Sequence, residues 1–239
     1  MRIRTTLVAL ALPLLLAGGA FACTPPSTEA DAAIASLIAE YEKSGLGYDK
    51  AYEAYRDRFT DFAAAHRGTE AEVRALLWLI QQTWWLRKSG TMEETSWPLA
   101  ADLIDRHADS PQLAMLAEYQ YVFGRKQRPE LFAKLIEVSP HASVKAAAHL
   151  GLARLEPARN DDGEPNEHYA LLLNEFADET WRLSTYGAIA DAFLNPHPAS
   201  ALEVGQLAPE IVGVDPKGNP MRLSDFRGKV VMLDFWGHW

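Results

Sequence analysis

The last twelve residues of the sequence are Gly228-Lys229-Val230-Val231-Met232-Leu233-Asp234-Phe235-Trp236-Gly237-His238-Trp239, and their pattern indicates the fold of this end of the chain. Successive side chains of a strand point to opposite faces, so a strand that is apolar at nearly every position is apolar on both faces. The positions that give this pattern are Val230, Val231, Met232, Leu233, Phe235 and Trp236. A run of this kind predicts a central strand covered by helices on both sides.

Three shorter segments precede this strand, and their order along the chain is part of the pattern. They are Val204-Gly205-Gln206-Leu207-Ala208-Pro209-Glu210, then Asp215-Pro216-Lys217-Gly218-Asn219-Pro220, then Leu223-Ser224-Asp225-Phe226-Arg227-Gly228-Lys229. The middle segment predicts a turn between two short strands, because Pro, Gly and Asn supply its backbone angles. Together with the terminal Phe-Trp-x-x-Trp, residues 204–239 resemble TlpA-like redoxins of the thioredoxin fold. Peroxiredoxins share the opening segment and are the less favoured alternative.

The resemblance implies thiol-disulfide chemistry. In that family a Cys-x-x-Cys motif follows Phe-Trp-x-x-Trp, and a helix N-terminus lowers the pKa of its first thiol to about 3.5–7.5. Asp234 matches the buried acidic residue that relays a proton for the second cysteine, although an Asp at a strand end that meets solvent is the alternative. Trp236 and Trp239 match the aromatic pair that shields the site. No dissociable cofactor and no metal are implied, because cysteine does the chemistry.

The sequence stops where the first of those cysteines is expected. Three explanations stay open: a fragment of a longer product, a nonsense mutation, or a UGA codon for selenocysteine interpreted as a stop. Leaving several such apolar side chains uncovered forfeits on the order of 10 kcal/mol, which rivals a domain's net stability of about 5–15 kcal/mol. We therefore expect this segment, as written, to fold poorly and to lack catalytic activity.

The other end of the chain predicts export. Arg2 and Arg4 precede a short apolar stretch, so residues 1–22 are typical of a secretory signal peptide. Cys23 is the single cysteine and has no intrachain disulfide partner. It is either the acylated N-terminus of a lipoprotein, with residues 23–31 as a tether, or an incidental thiol. Lipidation is favoured, which predicts a bacterial periplasmic or envelope protein attached to the membrane by its lipid alone.

Residues 32–195 predict helices almost throughout. Thr69-Glu70-Ala71-Glu72 has the pattern of a capping box, and Ser110-Pro111, Arg128-Pro129 and Ser139-Pro140 mark further helix starts. Helix ends recur at intervals of roughly 32–43 residues, which resembles tetratricopeptide-like arrays of helical hairpins; a plain bundle is equally compatible. Residues 196–203 predict a linker. The predicted fold is therefore an α+β chain, an all-α region followed by the first strands of an incomplete thioredoxin-like α/β domain.

Charge, histidine spacing and tryptophan placement argue against several kinds of partner and site. A formal charge of −9 argues against nucleic acid or an anionic membrane surface as the main partner. The histidines show no metal-ligand spacing and are expected on the surface or at helix caps. Trp78, Trp84, Trp85 and Trp97 favour a helical core over a peptide groove, and Glu93-Glu94 favours a solvated face.

Two functions remain at this stage. The first is an exported thiol-disulfide oxidoreductase that acts on protein disulfides with electrons from another redox protein, its helical region presenting substrates or a partner. The second is a tethered helical interaction protein whose redoxin end is vestigial.

Overall fold

The computed structural model describes residues 28–182, 184–196, 203–215 and 219–234, and most of them are helical. Within these ranges lie nine α-helices: α1 Glu29–Lys43, α2 Tyr48–Ala65, α3 Glu70–Gln82, α4 Met92–Arg106, α5 Ala114–Glu118, α6 Gln127–Val138, α7 Ala142–Ala153, α8 Glu167–Asn174 and α9 Tyr186–Leu194. Short 3-10 turns lie between some of them, at Thr83–Lys88, Pro111–Leu113 and Gln120–Val122. The predicted helical region is confirmed. The predicted linker falls mostly on residues outside the described ranges, so the domain boundaries stay a prediction.

A side-chain cap is present at the starts of α1, α3, α8 and α9. The Thr69 hydroxyl accepts a hydrogen bond from the Glu72 amide, as the capping-box pattern predicts. Pro129 lies in the first turn of α6, also as predicted. The start at Ser139-Pro140 is wrong, since Ser139 ends α6 and α7 begins at Ala142. A residue before proline is driven out of the helical region, and Ser139 has the extended ψ of 134° that follows from this.

Most helices pack on their neighbours in the chain. α2 packs on α3, α6 on α7 and α8 on α9; in addition α4 packs on α3, α8 on α7 and α5 on α7. α3 and α7 carry the largest shares of buried residues and lie at the centre of the core. The packing is close: the Phe59 and Trp78 rings stack 3.7 Å apart, and the Phe132 ring lies directly against Gly151.

Four tryptophans of the helical region belong to this core. Trp78 is buried, and Trp84, Trp85 and Trp97 are partly buried and pack against the core. The expectation of core aromatics is confirmed for these four residues.

Two antiparallel strand pairs complete the secondary structure. β1 (Thr180–Trp181) pairs with β2 (Ser184–Thr185) beside α9, and β3 (Val212–Val214) pairs with β4 (Pro220–Arg222). In the second pair Val212 lies opposite Arg222 and Gly213 opposite Met221. The two predicted short strands are therefore confirmed, while residues 216–218 of the turn between them lie outside the described residues.

The predicted central strand is not formed by the part of it that the structure describes. Residues 230–234 have no strand partner among the described residues, and Val230 and Met232 are almost fully exposed. A strand that is apolar on both faces needs neighbouring strands and covering helices, and the described residues supply neither here. Within the described ranges, no helix has the length and apolarity needed to cross a bilayer.

Candidate functional site

The redoxin-like segment is organised around the β3–β4 hairpin. Its loop is closed from both sides, because the Asn219 amide donates to the Asp215 carboxylate and the Asp215 amide donates to the Asn219 carbonyl, each at 2.9 Å. After β4 the chain enters a 3-10 turn, Leu223–Phe226, in which the Asp225 carboxylate accepts from the Arg222 amide at 2.8 Å. The described residues of the second motif thus close the hairpin, and the third motif forms the turn that follows it.

Glu210 joins the first of these motifs to the third. Its Oε1 accepts a hydrogen bond from the Ser224 amide at 3.0 Å and from the Ile211 amide at 3.2 Å. The Leu223 amide donates to the Ile211 carbonyl at 2.9 Å beside it. Hydrogen bonds from the Ser224 side chain and backbone lower the pKa of the Glu210 carboxyl, because they favour its charged form. Glu210 therefore has a structural role in fastening the first motif to the turn after β4.

The predicted site residues are placed only in part. Asp234 is exposed and follows the unpaired run, so the surroundings that a buried proton relay requires are not formed around it. Cys23, Trp236 and Trp239 lie outside the described residues. The proposed roles of these four residues therefore stay predictions.

A second feature is a cleft of about 730 Å³ in the helical region. One face of α2 and one face of α4 form its walls, and α3 forms its floor. Its lining combines apolar side chains with charged ones at the rim: Ala63, Leu76, Leu79, Pro98, Leu99, Arg56, Arg67, Glu72, Glu94 and Arg106. A cleft of this size and mixed lining can hold a peptide segment or a small molecule.

Glu72 anchors one end of the cleft. The carboxylate is 1% exposed and accepts hydrogen bonds from the Gly68 amide at 2.7 Å and from the Arg106 guanidinium, and His107 Nε2 lies 2.9 Å from it. Burial alone would raise the pKa of Glu72. The bonds from Arg106, Gly68 and His107 outweigh burial and hold that pKa below the ordinary 4.5. A carboxylate this fully paired fixes the start of α3 against the end of α4 and is poorly suited to act as a general base.

Two histidines are buried, His107 and His149. His107 is the C-cap residue of α4, in agreement with the expected cap position, whereas His149 lies inside α7 and corrects the expectation. His107 contacts Glu72 from 35 positions away, and His149 contacts His168, with their Nδ1 atoms 3.1 Å apart. No short-range sequence pattern predicts either contact, because each contact joins residues of separate helices or helix ends. Glu93 and Glu94 are exposed, which confirms the solvated face.

Comparisons with known proteins bear on a short part of the chain. The chain is 55% identical over 40 residues to the thiol-disulfide oxidoreductase ResA of Geobacillus kaustophilus. The matched residues make up 17% of this chain and 23% of that protein. The ResA of Geobacillus thermodenitrificans is 50% identical over the same length, and that of Bacillus thuringiensis is 47% identical over 38 residues. The chain thus spans less than a quarter of the length of these relatives. No protein-family profile and no solved structure matches the chain.

Proposed function

We propose that residues 204–239 are the first part of a thioredoxin-like catalytic domain, and that the protein is a TlpA-like thiol-disulfide oxidoreductase. The observation that carries the proposal is the 55% identity to a thiol-disulfide oxidoreductase over 40 residues, a length close to that of the segment with the ordered motifs. The folded hairpin supports it, since Glu210 and Asp225 hold those motifs in one unit.

The chemistry follows from this assignment. A cysteine thiolate just beyond Trp239 attacks a sulfur of a protein disulfide and forms a mixed disulfide, while the other sulfur leaves as a thiolate. The second cysteine attacks the mixed disulfide and releases the substrate with both of its sulfurs reduced. Asp234 would take the proton of that second thiol, and Trp236 and Trp239 would shield the pair. A separate redox protein then returns the two electrons that regenerate the dithiol.

The proposed location is the bacterial envelope. The signal-like residues 1–22 followed by Cys23 support export and lipid attachment. A protein held at the membrane by one end needs a spacer, and the helical region of residues 32–195 would supply it. Mass spectrometry of Cys23 in the purified protein tests this point: a diacylglyceryl thioether at a new N-terminus supports the anchor, and an unmodified thiol contradicts it.

The oxidoreductase is tested by the reading frame beyond the Trp239 codon. We expect a Cys-x-x-Cys pair, or a UGA codon followed by x-x-Cys, and we expect its product to reduce insulin disulfides. The matched controls are the 239-residue chain and a variant with serine at the first position of the pair, both of which should be inactive. A downstream frame without such a pair would contradict the proposal.

The cleft between α2 and α4 favours a second candidate, a tethered interaction protein built as a tetratricopeptide-like array. Its consecutive helix pairs and its open groove of about 730 Å³ are the supporting observations. Ala64 is exposed in this groove, so Ala64→Trp should fill it without disturbing the core. If a partner purified with the full chain dissociates from Ala64→Trp and the downstream frame lacks the cysteine pair, the interaction protein is the better assignment.

A further inference from the structure

The helical region holds a histidine pair that the redox chemistry does not use. His149 lies on α7 and is 8% exposed, and His168 lies at the start of α8, which packs on α7. Their Nδ1 atoms face each other at 3.1 Å, and their ring centroids are 5.2 Å apart. The Phe176 ring also lies against His149, with its centroid 5.5 Å away. The position of the pair is therefore set by the α7–α8 contact and, for His149, also by Phe176.

The separation of the two nitrogens suits a shared metal ion. With Zn–N bonds of about 2.0–2.1 Å and an angle of roughly 95–110° at the metal, two ligand nitrogens lie about 3.0–3.4 Å apart. The observed 3.1 Å falls in that interval. Without a metal, the same distance is an N–H···N hydrogen bond in which one ring donates from Nδ1. Metal binding requires the donor ring to change its tautomer, so that its proton is on Nε2 instead of Nδ1. Both Nδ1 lone pairs are then free to bind the metal, and both rings remain neutral.

The two rings differ in how far they are buried. His149 lies in the interior of the α7–α8 contact, with 8% of its surface exposed. His168 is only partly buried, so a cation can reach the pair from its side.

We propose that His149 and His168 form a two-histidine site for a divalent cation that prefers nitrogen ligands, of which Zn²⁺ is the probe, with water completing the coordination. Neutral imidazole selects this class of cation over Mg²⁺ and Ca²⁺, which prefer oxygen ligands. Among the described residues no cluster of three or more metal-ligating side chains exists, so two protein ligands set the affinity. The site fastens α7 to α8, and it is independent of the proposed oxidoreductase.

The test is a Zn²⁺ titration of the Cys23→Ser chain, in which the single thiol is removed. We expect one Zn²⁺ to shift the Nδ1 resonances of both His149 and His168 in ¹⁵N spectra and to raise the thermal unfolding midpoint, since a ligand of the folded state stabilises it. His168→Gln should lose both effects. His141→Gln is the matched control and should keep them, because His141 contacts the Asp109 carbonyl on another part of the surface.

Three results would overturn the site. They are Nδ1 resonances that stay in place as Zn²⁺ is added, an equal midpoint shift in His168→Gln, or an equal response to Mg²⁺. The spectroscopic readout uses the chain with both histidines intact, so it decides the question even if His168→Gln weakens the α7–α8 contact. A circular dichroism spectrum of each variant without metal shows whether its helices are intact.

Discussion

The helical region and the redoxin-like segment are both rich in apolar residues, but only the first buries them. In residues 28–196 side chains such as Phe132, Ile80 and Leu103 are completely buried. In residues 203–234 the apolar side chains of Val204, Leu207, Val230 and Met232 are mostly exposed. The difference shows that an apolar pattern stabilises a fold only where other elements cover it. The helices of this chain cover one another, whereas no other element among the described residues covers the redoxin-like hairpin to a comparable extent.

The largest expected effect compares two apolar side chains, one from each region. Phe132→Ala removes a fully buried ring and should lower the free energy of unfolding by about 3–5 kcal/mol. Met232→Ala is the matched control. It truncates a side chain that is 92% exposed and should change that free energy by less than about 0.5 kcal/mol. Urea denaturation followed by circular dichroism measures both, and similar losses in the two variants would remove the contrast.

The next effect concerns the buried carboxylate. Glu72→Gln weakens charge-assisted bonds to Arg106, Gly68 and His107 and should cost about 1.5–3 kcal/mol at pH 7. Asp105→Asn breaks the exposed pair with Lys134 and should cost less than about 1 kcal/mol.

The pH dependence of this effect has a definite sign. The pKa of Glu72 in the folded protein lies below the ordinary value of 4.5. The stability that the charged carboxylate contributes is therefore fully present above pH 4.5 and is lost as the pH falls through the folded-state pKa. The gap in unfolding free energy between wild type and Glu72→Gln should therefore narrow on acidification below pH 4.5. A gap that stays constant or widens there would contradict the described network.

A smaller effect compares two glycines. A Cβ at Gly151 would stand 2.5 Å from the Phe132 ring, whereas one at Gly213 in β3 would meet nothing within 4 Å. Overpacking costs about 1–3 kcal/mol, and the better helix propensity of alanine returns up to about 1 kcal/mol. Gly151→Ala should therefore lose about 1–2 kcal/mol, and Gly213→Ala should leave the urea midpoint close to that of the wild type. A stable Gly151→Ala would show that the α6–α7 contact is looser than described.

The smallest effect is confined to the hairpin. Because hydrogen bonds from Ser224 lower the pKa of Glu210, the amide signals of Ile211 and Ser224 should titrate together below the ordinary glutamate value of 4.5. Glu210→Gln should abolish that titration and leave the signals of α3 and α7 unchanged. An unshifted pKa at Glu210 would mean that the opening motif is not fastened to the turn after β4.

The sequence predicts local features well and contacts between distant residues poorly. The N-cap at Thr69 and the hydrogen bonds between Asp215 and Asn219 depend on neighbours within four positions, so their patterns are visible in the sequence. The contact between Glu72 and His107 joins residues 35 positions apart, and that between His149 and His168 depends on the α7–α8 packing. The apolar pattern of residues 230–236 suits a central strand, but residues 230–234 form none, as expected of this segment without its partner strands and covering helices.

Amide hydrogen exchange of the 239-residue chain tests most directly whether the two regions differ as described. We predict that amides of α3 and α7 exchange slowly, at rates set by cooperative unfolding of the helical region, while those of residues 230–233 exchange at the rates of an unfolded peptide. Slow exchange at residues 230–233, comparable with that of α7, would contradict this description, since it would require a covered strand where the structure has an exposed segment without strand pairing.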